Sequence, residues 1–172
     1  MARITVKKGD LTKEQVDAIV NAANQKMLGG GGVDGAIHRA AGPQLLEACK
    51  QVPEVRPGVR CPTGEARMTS GFGLLARHVI HTVGPVYHGK PEDAERLTSA
   101  YRSSLQLAAD HGLKTIAFPA ISCGVYGYPL EEAAEIAVGV AKERDWPLEE
   151  IRFVLFDDAA LEAWQKAAAA LG

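Results

Sequence analysis

Four consecutive glycines, Gly29–Gly32, lie between a predicted strand and a predicted helix. Glycine adopts positive φ easily and lets a ligand approach the backbone, while the start of a helix presents unpaired N–H groups to an anion. A solvated turn would gain nothing from four residues that are so costly to order. We therefore interpret this segment as a phosphate site in preference to a flexible turn.

The kind of phosphate ligand is narrowed by what the glycine loop lacks. No Gly-Lys-Ser/Thr sequence ends the loop, so the lysine and the magnesium ligand of a triphosphatase P-loop are missing. The loop also follows the second predicted strand and not the first, unlike the glycine loop of a Rossmann fold. A second glycine loop, Ile121–Pro129, also joins a predicted strand to a predicted helix. Alone it could be a simple turn, but together the two loops could clamp a diphosphate.

Three polar side chains beside the first loop are candidates for acid–base chemistry or for holding a ligand. Asp34 begins the following helix, whose dipole stabilises a carboxylate and suits it to act as a general base. Any first-turn acid also stabilises its helix, by roughly 0.3–1 kcal/mol, so the two roles are compatible. His38 lies four residues on and shares that helix face, which favours a supporting role. Asn24 offers donors and an acceptor either to a ligand or to its own Asx turn.

Alternating strands and helices must position these residues. Short apolar runs with β-branched residues predict five strands: Ile4–Lys7, Ala18–Ala22, His78–Val83, Thr115–Phe118 and Ile151–Phe156. Gly64–Thr69 is a weaker sixth candidate. Helical patterns predict five helices between and after them: Asp34–Ala41, Gln44–Val52, Glu92–His111, Leu130–Arg144 and Ala159–Ala170. This order favours an α/β sandwich with helices on both faces of the sheet, and with ligands bound beyond the strands' carboxyl ends.

Composition restricts the remaining possibilities. A chain of 172 residues with 47% hydrophobic and 23% charged residues fits one domain spanning residues 1–172. The net charge of −2 provides no general attraction for nucleic acid. Neither a signal peptide nor a membrane-spanning run is apparent, so we expect a cytoplasmic protein that does not engage membranes. Three cysteines without metal-ligand spacing predict reduced thiols and no metal site.

The sequence resembles the macrodomain family. The motifs that carry the resemblance cover nearly the whole chain in the family's order: Gly9–Thr12, Val16–Asn24, the four-glycine loop, His81–Pro85 and Pro119–Ser122. The stretch Gly29–His38 is similar to the hydrolase branch named MacroD, which includes O-acetyl-ADP-ribose deacetylases. The resemblance implies a three-layer α/β/α sandwich with a mixed central sheet.

The resemblance also assigns expected roles to individual residues. It implies that Asp10 accepts a hydrogen bond from the adenine amino group, although this carboxylate could instead cap its own turn. Phe156 is expected to pack on the adenine, with burial in the core as the alternative. Tyr126 would cover the distal ribose, and Asn24 and Asp34 would be the catalytic pair. The other expected ligand contacts are Leu11, Ala22, Gly31, Gly32, Val33, Ser122, Cys123, Gly124 and Val125.

The residues around Cys123 and His38 argue against a thiol nucleophile and against a catalytic zinc site. Cys123 stands where many macrodomains have threonine, but no histidine adjoins it in sequence, so we interpret it as a small loop residue and not a nucleophile. One branch of the family holds a catalytic zinc through a cysteine and histidines near the glycine loop. No cysteine stands beside His38 here, so neither zinc nor any other cofactor is expected.

The resemblance implies a monomeric, metal-independent enzyme that binds ADP-ribose and hydrolyses ADP-ribosyl esters. Its expected substrates are proteins carrying ADP-ribose on Asp or Glu, and O-acyl-ADP-ribose. A non-catalytic reader of ADP-ribosylated partners is the main alternative, since binding and hydrolysis would share one cleft. Removal of ADP-ribose from nucleic acid is a further alternative that the net charge does not favour.

Overall fold

The computed structural model describes residues 1–172 and contains a six-stranded sheet with five α-helices. The strands are β1 (Arg3–Lys8), β2 (Ala18–Ala22), β3 (Ala66–Ser70), β4 (His78–Thr82), β5 (Thr115–Phe118) and β6 (Glu150–Leu155). The helices are α1 (Gly32–Ala41), α2 (Pro43–Lys50), α3 (Pro91–Asp110), α4 (Leu130–Lys142) and α5 (Asp158–Leu171). Every predicted strand and helix is therefore present.

The strands follow the order β1-β6-β5-β2-β4-β3, in which only β3 runs antiparallel to its neighbour. The predicted mixed central sheet is confirmed. Because the other five strands are parallel, their carboxyl ends meet at one edge of the sheet. The segments that follow β1, β2, β4, β5 and β6 are therefore neighbours in space, although they are far apart in sequence.

The two faces of the sheet carry separate apolar cores, and alternation along β2 illustrates the division. Ile19 packs with residues of α1 and α2, such as Ile37 and Leu45, on one face. Val20 points to the other face, where α3, α4 and α5 supply larger side chains that include Trp164. The helices thus form one layer on each side of the sheet, which confirms the expected three-layer sandwich.

Helix boundaries differ from the predictions by a few residues, for local reasons. Helix α1 begins at Gly32, two residues before the predicted start at Asp34, so part of the glycine loop belongs to its first turn. Pro43 and Pro91 occupy the first positions of α2 and α3, where the missing N–H of proline costs nothing. A short 3₁₀ turn, Leu11–Lys13, was not predicted.

Gly64 was predicted to begin a strand, but its φ of 88° is incompatible with one, and β3 begins at Ala66.

None of the five α-helices combines the length with the apolar composition that a membrane-spanning helix needs. The structure also brings together no cluster of three His, Cys, Asp or Glu side chains that could hold a metal ion.

Candidate functional site

The first glycine loop follows β2 and leaves a row of backbone donors unpaired. Gly29 and Gly32 have φ values of 95° and 57°, in the left-handed region that favours glycine. The N–H groups of Gly31, Gly32 and Val33 make no hydrogen bond, and no side chain caps α1. Donors at a helix start form an anion-binding surface, as the sequence predicted.

Asn24 and Asp34 converge on Gly30. A Cβ atom added to Gly30 would lie 3.1 Å from Oδ2 of Asp34 and 3.5 Å from Nδ2 of Asn24. The missing side chain at Gly30 therefore permits the approach of these two polar groups. Asn24 also forms the Asx turn that was considered as its alternative role, because its Oδ1 accepts from Met27 N at 3.1 Å. Its Nδ2 donates to Gly29 O at 3.1 Å.

The Asp34 carboxylate is buried and held through one oxygen. Its Oδ1 accepts from Nδ2 of Asn21 at 2.8 Å and lies 3.4 Å from Nε2 of His38. The expected proximity of His38 is thus observed. No protein donor occupies Oδ2, the oxygen that faces Gly30. Asp34 therefore presents one fixed and one available oxygen.

The second glycine loop follows β5 and is fixed against the segment after β4. Ser122 has a φ of 68° and donates through Oγ to Pro85 O at 2.8 Å. A Cβ atom on Gly84 would collide with that Oγ, so this close approach requires glycine. The N–H groups of Ser122, Gly124, Val125 and Tyr126 make no hydrogen bond. The two loops therefore offer two sets of free donors at the same sheet edge.

Cys123 differs from its neighbours in the second loop. Its own N–H is taken by Ala120 O at 3.3 Å, so the backbone of Cys123 is not a free donor. Burial raises the pKa of the Cys123 thiol to about 12, which leaves it protonated at neutral pH. Both observations favour the interpretation of Cys123 as a small loop residue.

Asp10 and Phe156 lie beyond the ends of the paired strands β1 and β6. Oδ1 of Asp10 accepts from Thr12 Oγ1 at 2.7 Å and from Thr12 N at 3.0 Å. The hydrogen bond from the Thr12 hydroxyl has the largest effect on the pKa of the Asp10 carboxyl, which it lowers, and the bond from Thr12 N lowers that pKa further. Both bonds use Oδ1, so Oδ2 has no partner. Phe156 is 87% exposed, so the alternative of core packing is wrong. An acceptor and an aromatic face are both available here.

Of the remaining predicted site residues, Leu11 and Ala22 lie at or near strand ends, and Tyr126 lies beside a cavity. Leu11 has its side chain in the core, so only its backbone could meet a ligand, and Ala22 ends β2 half-buried. Tyr126 and Asn24 together line one side of a cavity of about 500 Å³. The rest of that cavity lies outside the predicted site and is lined by Gln25, Lys26, Gly58, Thr63, Val83, Gly84 and Val86.

Two buried side chains were not predicted as functional. Asn21 holds Asp34, because alternation along β2 turns it toward α1. His81 lies on β4 directly opposite Asn21 of β2. Nδ1 of His81 is 3.2 Å from Nδ2 of Asn21. The signal in the sequence was a histidine that directly follows Val79 and Ile80 inside the predicted strand. Burial lowers the pKa of His81 to about 3.

Comparison with known proteins agrees with this arrangement. A protein of Xanthomonas campestris named as Macro domain-containing is 58% identical over 173 residues, covering 97% of this chain and 96% of its own. A Klebsiella pneumoniae protein named O-acetyl-ADP-ribose deacetylase is 56% identical over 162 residues, covering 92% and 91%.

Solved structures are similar as well. A variant of the Oceanobacillus iheyensis macrodomain with ADPR superposes with a TM-score of 0.89 at 45% identity, covering 96% of this chain and 91% of that one. Other structures of the Oceanobacillus protein carry an asparagine-to-alanine or an aspartate-to-alanine replacement. The two replaced residues are separated by as many positions as Asn24 and Asp34 are.

The family model described as Macro domain matches residues 20–137, which contain both glycine loops, Asn24 and Asp34. This match and the relatives that cover nearly the full chain confirm the resemblance noted from the sequence. The chain belongs to the Macro domain family.

Proposed function

We propose that the protein binds ADP-ribose along the two glycine loops and hydrolyses esters that join ADP-ribose to a carboxylic acid. The substrates would be proteins modified on Asp or Glu and O-acetyl-ADP-ribose. The observation that carries this proposal is the convergence of Asn24 and Asp34 on Gly30, beside two sets of unpaired N–H groups.

Binding is supported by groups spaced along one sheet edge. The free donors of both loops suit the negative charge of a diphosphate. The exposed Phe156 ring suits a purine face, and the free Oδ2 of Asp10 suits the adenine amino group. A similar macrodomain has been solved with ADPR.

Hydrolysis is supported by the state of Asp34. Because Oδ1 is held by Asn21, Oδ2 is the oxygen that would accept a proton from an attacking water. Asn24 would hold the distal ribose beside Gly30, through the donor and acceptor capacity that its Asx turn leaves free. Attack at the ester carbonyl or at the anomeric carbon would release ADP-ribose and the free acid alike.

The cavity beside Asn24 and Tyr126 supplies room for the group joined to ADP-ribose. Its volume of about 500 Å³ falls within the range of roughly 300–1,000 Å³ that is usual for ligand pockets. An acetyl group would fill little of this space. A modified side chain together with part of its peptide would use much more of it.

A turnover assay tests the enzymatic proposal. Wild type, Asp34→Asn and the control Asp110→Asn, an exposed carboxylate at the end of α3, would receive an ADP-ribosylated glutamate protein or O-acetyl-ADP-ribose. We expect wild type and the control to release ADP-ribose at similar rates, and Asp34→Asn to be slower by about 10²–10⁴-fold. Binding without release by wild type would instead identify a reader module.

Calorimetry tests the binding proposal separately. If Asn24 holds the distal ribose, ADP-ribose should bind more tightly than ADP, and Asn24→Ala should reduce the difference. Equal affinity for the two ligands would refute the position of Asn24. Including an ADP-ribosylated oligonucleotide in the turnover assay would test the alternative of a nucleic-acid substrate.

A further inference from the structure

A buried polar chain runs beneath Asp34 on the sheet face that α1 and α2 cover. Asn21 of β2 contacts His81 of β4, and Nε2 of His81 lies 2.9 Å from Oγ1 of Thr69 on β3. Asn21 and His81 are both fully buried. The chain therefore crosses three adjacent strands and ends at the carboxylate proposed to activate water.

The Asn21 amide has one favourable orientation in this chain. Its Nδ2 lies 2.8 Å from Oδ1 of Asp34 and 3.2 Å from Nδ1 of His81, so the two amide hydrogens serve both neighbours. Rotating the amide by half a turn would place its oxygen 2.8 Å from a carboxylate oxygen. Two acceptors at that distance repel each other, so an ionised Asp34 selects the orientation with Nδ2 inward.

The orientation of Asn21 fixes the tautomer of His81. Nδ1 must be the unprotonated acceptor, so the ring proton lies on Nε2 and is donated to Thr69 Oγ1. The Thr69 hydroxyl is then free to donate to Ser70 O at 3.2 Å. Burial lowers the pKa of His81 to about 3, which keeps the ring neutral as this arrangement requires.

Other neighbours do not offer His81 a better partner. Cys49 Sγ lies 3.9 Å from Nε2, and burial raises the pKa of that thiol to about 11. A protonated thiol at this distance makes only a weak contact. Thr69 is therefore the partner that distinguishes the two ring nitrogens.

We propose that His81 is a positioning residue: in its Nε2–H tautomer, held by Thr69, it fixes the Asn21 amide, which in turn holds the Asp34 carboxylate. This role rests on the proposed function, because it matters for the reaction only if Asp34 activates water. His81 itself does not contact substrate and transfers no proton. Its effect is to keep Oδ2 of Asp34 directed toward Gly30 and Asn24.

Nitrogen NMR of the wild-type protein tests the arrangement independently of activity. The proposal expects the His81 ring to remain neutral with its proton on Nε2 throughout the pH range in which the protein is folded and Asp34 is ionised. A proton on Nδ1, or a charged ring at neutral pH, would overturn it. If wild type released no ADP-ribose at all, the proposed function would fail, whereas this measurement would still decide the orientation of Asn21.

Thr69 offers a matched pair of variants at a half-buried strand position. Thr69→Val keeps the shape but removes the acceptor for Nε2–H, whereas Thr69→Ser retains it. We expect kcat to fall about fivefold in Thr69→Val, the rate equivalent of one ordinary hydrogen bond, with ADP-ribose affinity unchanged. The Ser variant should keep the wild-type kcat. Unchanged kcat in Thr69→Val, or an equal loss in both variants, would overturn the proposal.

Discussion

Single residues at this site do more than one task, and their alternative roles are compatible. Asn24 forms an Asx turn with Met27, yet one amide hydrogen and one lone pair stay free for a ligand. Asp10 caps its own turn through one oxygen and keeps the other available. A carboxylate or an amide has enough hydrogen-bonding capacity to fix a loop and meet a ligand.

Site residues that lie close together in the chain could be predicted from the sequence, whereas those that meet only through strand pairing could not. Asn24, Asp34 and His38 lie within one local motif, so their spacing was informative. The contact between Asn21 and His81 joins positions far apart in the chain and depends on β2 pairing with β4. Local patterns contain no information about that pairing, so His81 could be recognised only as a polar residue inside a predicted strand.

The neutral state of His81 predicts a pH-dependent stability. Its pKa is about 3 in the folded protein and 6.5 in the reference state, so between these values only the unfolded chain binds the proton. Stability contributed by neutral His81 is therefore complete above pH 6.5 and is lost as the pH falls toward 3, by up to about 1.4 kcal/mol per unit.

Urea unfolding at pH 6.5 and pH 5 measures this contribution. Between these values the wild type should lose about 1.6 kcal/mol more unfolding free energy than His81→Asn, which cannot titrate. The variant also keeps an acceptor near the position of Nδ1, which limits other changes. Parallel pH dependence in the two proteins would show that His81 binds a proton equally well in the folded and the unfolded states, and so that its pKa is not lowered by burial.

Phe156 tests the adenine end of the cleft. Because the ring is 87% exposed, Phe156→Ala should leave the melting temperature nearly unchanged. Loss of stacking should weaken ADP-ribose binding by about 1–2 kcal/mol, measured by calorimetry. The control Phe72→Ala removes an exposed ring from the turn between β3 and β4, at the opposite edge of the sheet, and should not change affinity. Equal effects of the two variants would argue against stacking.

At the scale of elements, the contact between the first glycine loop and α1 determines the shape of the site. A Cβ atom on Gly35 would lie 2.7 Å from Gly30 O, so the helix and the loop pack backbone against backbone. The sequence predicts the loop and the helix, but with Gly32 and Val33 in the loop, whereas α1 begins at Gly32. Helix starts depend on cap geometry, and Gly31 provides no side chain to mark this one.

Two glycines inside helices provide a matched test of this contact. Gly139 in α4 has no atom within 4 Å of an added Cβ, so Gly139→Ala should stabilise the protein by about 0.5–1 kcal/mol. Gly35→Ala should instead destabilise it by roughly 1–3 kcal/mol and weaken ADP-ribose binding, because the loop must move. Urea unfolding and calorimetry would measure both effects. Stabilisation by both substitutions would show that the loop adapts without loss.

At the scale of the whole molecule, strand order brings the site together. The alternation of strands and helices predicted the layers, but β1 and β2 are separated in the sheet by β6 and β5. Single-strand patterns do not encode which strands pair, so the strand order could not be predicted from the sequence. This order places the segment after β5 between the segments after β2 and β6.

The cavity beyond Asn24 and Tyr126 distinguishes large substrates from small ones. Lys26 lines it and makes no ion pair, so it is a free cation beside the proposed position of the joined group. An acidic peptide around a modified Asp or Glu would meet this charge, whereas an acetyl ester would not reach it. Exposed charges act mainly on association and are screened by salt.

Lys26→Glu should therefore slow release of ADP-ribose from a protein substrate with acidic flanking residues, lowering kcat/KM by about three- to tenfold at low salt. Turnover of O-acetyl-ADP-ribose should change much less, and added salt should reduce the difference. Arg77→Glu alters the net charge equally in the turn between β3 and β4, away from the cavity, and separates local from global charge. If both variants slowed both substrates alike, net charge alone would explain the effect, and the peptide would not lie beside Lys26.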